Sequence, residues 1–87
     1  MAVLIRHRAD GLTEELYDQV APPLIESAKQ APGFILHVTY EDGNGFCVSE
    51  IWETQEQHDA WFNENVVPNL PMAISQETIA LHSIHQP

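Results

Sequence analysis

Phe34-Ile35-Leu36-His37-Val38-Thr39-Tyr40, then Glu41-Asp42-Gly43-Asn44-Gly45, then Phe46-Cys47-Val48-Ser49-Glu50-Ile51-Trp52 is the stretch on which the fold turns. Two runs rich in β-branched and aromatic residues flank Asp-Gly and Asn-Gly pairs, the signature of an antiparallel hairpin. Towards the N-terminus, Ala31-Pro32-Gly33 closes a helical stretch that begins at Thr13, an N-cap residue followed by Glu14 and Glu15. Leu12, Leu16, Val20, Leu24 and Ala28 share one stripe of that helix. Pro22-Pro23 interrupts it, because proline lacks the backbone donor and disfavours helix at the residue before it. The spacing therefore predicts a kinked helix or two abutting segments. Earlier still, Val3 to Ala9, closed by Asp10-Gly11, reads as a strand. On the other side, Thr54 with Gln57 three residues later resembles a capping box. It opens a second helix running to about Val67, ended by Pro68 and Pro71. Residues 78–85 read as a last strand.

The order is β-α-β-β-α-β, an α+β, ferredoxin-like arrangement in which two helices cover one face of a four-stranded antiparallel sheet. The whole chain, residues 1–87, reads as one such domain. Strict alternation would place Phe34, Leu36, Val38 and Tyr40 on one side and Ile35, His37 and Thr39 on the other. Phe46, Val48 and Trp52 likewise oppose Cys47 and Ile51, with Leu4 and Leu81 as further apolar groups. Both faces thus carry large apolar residues, which a solvated face would not. Two short helices cover only one of them. A second copy of the chain is the simplest cover for the other, which predicts a homodimer, with Ile35, His37 and Thr39 as one candidate contact side.

Thirteen acidic residues against three basic ones, Arg6, Arg8 and Lys29, give a formal net charge of −10. Nucleic-acid binding requires Lys and Arg against phosphates, so that class of partner is excluded as an expectation, and an anionic membrane surface with it. No apolar run approaches the roughly 20 residues that span a bilayer, and the N-terminus does not have the layout of a secretory signal. Lone Cys47 cannot build a disulfide framework, which fits a cytoplasmic protein.

The element order, the hairpin and the segment Glu50-Ile51-Trp52-Glu53-Thr54 leading into a helix with Trp61 resemble the dimeric α/β-barrel superfamily, and within it the antibiotic-biosynthesis-monooxygenase-like proteins. The resemblance implies two sheets packed into a barrel and a small-molecule pocket between each sheet and its helices. It also implies a cofactor-independent monooxygenase acting on aromatic or polyketide-like compounds. Polyketide cyclases, lactone isomerases and haem-degrading enzymes share the same barrel, and fold alone does not choose among them. The haem-degrading branch resembles this chain in Trp52, in Trp61 nine residues later, and in a polar residue followed by Arg, here His7-Arg8 where Asn is usual. Its haem-ligating histidine would fall at Pro71, which cannot bind iron, so haem degradation is set aside and no cofactor is expected.

The candidate catalytic residues are His7 and His58. His7 shares parity with Val3 and Ile5 on an apolar strand face, and imidazole can abstract or return a proton near neutral pH. The alternative for it is a hydrogen-bonded core histidine. His58, Trp61, Phe62 and Asn65 fall at i, i+3, i+4 and i+7 on one helical face. They read either as a pocket wall or as an ordinary packing stripe. A buried His58 needs a hydrogen-bond partner, with Tyr17 or a strand residue in reach. Tyr17, Trp61, Phe62 and Asn65 are the candidate substrate-binding residues. His82 and His85 are three apart, and His82 could neighbour His7 across the first and last strands. A metal site needs three or four convergent ligands, so none is expected. Glu50 lies among strand hydrophobics, with an ion pair to Arg6 or Arg8 as its expected partner. Besides oxygenation, a cyclase or isomerase using a histidine acid–base and a non-catalytic ligand-binding domain remain as alternatives.

Overall fold

The computed structural model describes residues 1–70 and 72–87. Strand β1 (Val3–Ala9) leads into helix α1 (Glu14–Lys29), hairpin β2 (Phe34–Glu41) and β3 (Phe46–Trp52), helix α2 (Gln55–Asn65), a 3-10 turn (Val67–Asn69) and strand β4 (Ile74–Ala80). The sheet order is β2-β3-β1-β4, antiparallel throughout. This is the ferredoxin-like arrangement expected from the sequence. The Thr13 hydroxyl accepts from the Leu16 amide at 3.2 Å and that of Thr54 from the Gln57 amide at 3.2 Å, so both helices start where a side-chain cap satisfies a free amide.

Helix α1 is a single helix, not two segments. Asp18, Gln19, Pro22 and Pro23 are all exposed, so the two donors that the prolines lack fall on the solvent side. Buried Ala21 and Ala28 carry the inner face. The last strand starts four residues earlier than the sequence suggests. Pairing with β1 fixes it from Ala9 opposite Ile74 to Val3 opposite Ala80, and the Leu81 amide adds one more bond to Ala2. Beyond that point β1 supplies no partner. His82 and His85 are therefore exposed and outside the strand, and the residue opposite His7 is Gln76, not His82.

A second correction concerns parity in β2. The register with β3 runs Phe34 opposite Trp52 and then Leu36 opposite Ile51, leaving Ile35 as a bulge. One extra residue switches faces. Phe34 consequently packs edge-on to Trp52 on the helix side, and His37 joins it there, opposite Glu50. Leu36, Val38 and Tyr40 turn to the other side. The free face thus holds Leu4, Leu36, Val38, Cys47, Ile51 and Ile79, not His37 and Thr39. Leu36, Val38 and Ile79 are exposed at 43%, 42% and 40%.

The core lies between the helices and the inner sheet face, built from Ile5, Ala28, Trp52, Trp61, Phe62 and Val66. Gly33 closes one corner. Its φ of +88° suits a residue without Cβ, and a Cβ there would run into the end of the Gln57 side chain.

Candidate functional site

The core does not close completely. A cavity of about 80 Å³ opens between α1, α2 and the sheet, with apolar walls from Leu12, Val20, Leu24, Ile25, Trp61 and Phe62, among others. Four polar residues reach it, namely His7, Tyr17, His37 and Glu50. Alternation explains three of them. His7, Glu50 and His37 occupy inward positions of β1, β3 and β2, and the Ile35 bulge is what turns His37 inward.

His7 and His58, the two sequence candidates, are in direct contact. Their Nε2 atoms are 3.0 Å apart, with His7 7% and His58 0% exposed. The strand partner foreseen for His58 is therefore His7, while Tyr17 belongs elsewhere. His7 Nδ1 lies 3.3 Å from the Val48 carbonyl and His58 Nδ1 lies 2.8 Å from Asp59 Oδ1. A carbonyl and a carboxylate accept, so both Nδ1 atoms donate. Two neutral imidazoles carry two N–H groups, yet three contacts call for three. With both Nδ1 atoms donating, the two Nε2 atoms face each other as acceptors, and the contact gains a donor only when the pair takes up a proton. Glu50 Oε1, 4.0 Å from His58 Nε2, supplies compensating charge. Burial is the main influence on His7 itself and lowers its pKa to about 4, against the opposing pull of Glu50.

Glu50 is only 3% exposed, yet it makes no ion pair with arginine. Arg6 and Arg8 project from the opposite sheet face, where they pair with Glu77 and Asp42. Glu50 instead accepts from His37 Nδ1 at 2.7 Å and from Trp52 Nε1 at 3.1 Å. Desolvation pushes its pKa up, but these two hydrogen bonds with nearby His7 and His37 outweigh it, so the carboxyl is held below its ordinary range. His37 Nε2 is left as an acceptor and meets the Tyr17 hydroxyl at 2.6 Å. Burial is the chief reason the Tyr17 pKa is raised, with Glu50 adding to it.

The remaining sequence candidates divide. Trp61 and Phe62 line the cavity, and Phe62 stacks on both His7 and His58. Asn65 is not among the lining residues. It donates to the Trp61 carbonyl at 2.9 Å and takes a long contact from Ser27 Oγ, which itself accepts from Trp61 Nε1. Asn65 thus braces α2 against α1 and holds Trp61. His37 was absent from the sequence candidates. Its signal was its position opposite Glu50 in the hairpin, and the bulge concealed that pairing.

Donor atoms of His7, His58 and Glu50 lie within 4.8 Å of one another, a set able to ligate a metal ion. His7, His58 and Glu50 are the residues that would hold such an ion. Pro71, at the position of the haem-ligating histidine, lies outside the described residues.

Comparison with known proteins agrees with this architecture. No curated protein matches the sequence. Among solved structures, the chain is similar to SnoaB, a cofactor-independent oxygenase from Streptomyces nogalater, with a TM-score of 0.62, 11% identity and coverage of 95% of this chain and 93% of that one. It is also similar to MhuD, a haem-degrader from Mycobacterium tuberculosis with two haems bound, with a TM-score of 0.62, 15% identity and coverage of 97% and 99%. A third similar structure is a putative antibiotic biosynthesis monooxygenase from Chloroflexus aurantiacus, with a TM-score of 0.61, 20% identity and coverage of 98% and 95%. At these identities the structures speak to the fold alone. The sequence match is more specific, since residues 2–67 fit the family model described as antibiotic biosynthesis monooxygenase, and the chain belongs to that family.

Proposed function

We propose that the cavity binds a small aromatic or polyketide-like metabolite and that the protein oxygenates it with dioxygen, without a resident cofactor. The observation that carries this reading is an apolar cavity whose few polar groups are all proton-handling ones: two imidazoles, a phenol and a carboxylate. Dioxygen reacts slowly with closed-shell molecules, so the site must favour an electron-rich anion of the substrate. For a phenol going to a quinone, one oxygen atom enters the ring and the other leaves as water, with the substrate as the only reductant. His7 faces the cavity, and its long contact to Val48 is the one most readily exchanged for a substrate atom. Behind it His58 holds or returns the proton, and Asp59, partly exposed, links the pair to water. Trp61 and Phe62 enclose the ring and restrict water. Asn65 acts through Trp61.

The cavity is smaller than the roughly 150 Å³ apolar cavity known to take benzene, so a ring-sized ligand has to displace wall side chains. Tyr17, on α1, is the polar group at the wall that would meet the ligand's hydroxyl. The test is oxygen uptake by purified, metal-free protein with a panel of hydroxylated aromatics. Uptake no faster with protein than without would refute oxygenation. The mass of the product separates oxygenation from the cyclase or isomerase alternative, which loses water or leaves the mass unchanged, and from simple binding.

The working unit in this reading is a two-fold homodimer joined through the free sheet faces, inside the cytoplasm. Exposed Leu36, Val38 and Ile79 support it, as does buried Arg6 Nε, which has no hydrogen-bond partner within the described chain. A stable contact of this kind would bury on the order of 1,200–2,000 Å². Among the described residues, no helix is long and apolar enough to cross a membrane.

A further inference from the structure

The oxygenation reading needs a group that takes a proton from the substrate, and acceptor capacity at the cavity wall is scarce. Both nitrogens of His7 are engaged, one by Val48 and one by His58. Both nitrogens of His37 are engaged, by Glu50 and Tyr17. The Glu50 carboxylate, 3% exposed, accepts from Trp52 and His37 and is the charged anchor of this wall. Tyr17 Oη differs. Among the described residues its one hydrogen bond is the one it donates to His37 Nε2, which leaves its own lone pairs uncommitted there. Among the neutral polar side chains that line the cavity, it is the one with an uncommitted lone pair.

Behind that oxygen the groups stand in series, with 2.6 Å from Tyr17 Oη to His37 Nε2 and 2.7 Å from His37 Nδ1 to Glu50 Oε2. We propose that Tyr17 is the group that deprotonates the substrate, a phenol or enol hydroxyl, with His37 as its base and Glu50 as the anchor of His37. This deepens the oxygenation reading and rests on it. The substrate O–H bond breaks as its proton joins Tyr17 Oη. The phenolic proton of Tyr17 passes to His37 Nε2 in the same movement. A substrate anion and a His37 imidazolium result, and the imidazolium is paired to an ionised Glu50. No oxidant or reductant enters this step. The series has the logic of a nucleophile–histidine–carboxylate triad, with a phenol in the first place and a proton instead of an acyl group in transit. Tyr17 stays neutral at rest, because burial and Glu50 both oppose a free phenolate. His37 and Glu50 are positioning residues, and the same Glu50 also faces the His7–His58 pair that returns a proton later.

The test uses 4-nitrophenol, whose phenol and phenolate absorb at different wavelengths, and 4-nitroanisole, its methyl ether, as a ligand without a proton to give. Each is titrated into the full chain at a pH below the ionisation of the free phenol. The wild type should bind both and hold about tenfold more of the bound nitrophenol as phenolate than buffer does at that pH. Compared at saturating protein, where a change in affinity drops out, Tyr17→Phe should lose the phenolate excess, and His37→Gln should lose it too. A phenolate excess that survives Tyr17→Phe would overturn the assignment, as would wild-type binding of nitrophenol in its neutral form only. Binding of neither compound would overturn the pocket reading itself, and the assignment with it.

Discussion

Replacing His7 by Gln should change how stability depends on pH, and the size of the change follows from burial. In the unfolded chain the His7 imidazole has its ordinary pKa of 6.5, and in the folded protein that value falls to about 4, chiefly through desolvation. Between these values the unfolded chain takes up a proton that the native site refuses. The stability associated with neutral His7 is therefore fully present above pH 6.5 and lost as pH falls towards 4. One pKa unit is worth 1.36 kcal/mol, so a drop from pH 7.5 to pH 4.5 should cost the wild type about 2.5 kcal/mol through this residue alone. His7→Gln should be less stable at pH 7.5 but should not pay this increment. Urea unfolding followed by the fluorescence of buried Trp52 and Trp61 gives both free energies at each pH. Titrating groups away from the site behave alike in the two proteins, so the difference between their pH profiles reports His7 together with Glu50, whose pKa it helps to lower. Parallel profiles from pH 7.5 to 4.5 would refute the claim that His7 is buried neutral.

In the turnover assay, His7→Gln and His58→Gln should each lower kcat by about 10²–10⁴-fold with little effect on ligand affinity, and equal losses in binding and thermal stability would mark both as packing residues. Val38→Asp places a charge on the free sheet face and should shift the protein towards monomer in sedimentation at micromolar concentration; an unchanged oligomer would show that this face is not the contact. Gly33→Ala forces a side chain at positive φ against Gln57 and should cost about 1–3 kcal/mol in urea unfolding. Adding Gln57→Ala should return the part due to the clash but not the part due to φ, and full recovery would show that backbone conformation is not at issue.

The elements were legible in the sequence where local chemistry dictates them. Thr13 and Thr54 mark helix starts, and Asp42-Gly43 and Asn44-Gly45 mark the hairpin, because caps and turns are set by adjacent residues. The misreadings share a different cause, since each depended on a partner distant in the chain. Residues 74–77 include Ser75, Gln76 and Glu77 and lack the apolar pattern of a strand, yet β1 recruits them by backbone pairing. The Pro22-Pro23 pair argued for a break, but its missing donors face water. At the site, inward parity identified His7 and helical spacing identified His58, whereas their mutual contact is a tertiary fact. His37 and its link to Glu50 were hidden by a bulge that alternation cannot reveal, and that link also displaced the expected arginine partner of Glu50.

Ile35 acts as a phase shift written into β2 by a single residue. On its C-terminal side the odd-numbered positions look towards the helices, and the even-numbered ones look away, while Phe34 on its N-terminal side breaks that parity. Pairing all eight residues of β2 without a bulge would restore unbroken alternation. If Phe34 kept its place against Trp52, Leu36 and Val38 would turn into the cavity and His37 would turn out, away from Tyr17 and Glu50. The apolar patch and the proton relay would exchange sides without any side chain being altered. Chemistry and assembly in this chain therefore share one register, and a one-residue slip of β2 against β3 reaches both at once where a substitution reaches only one.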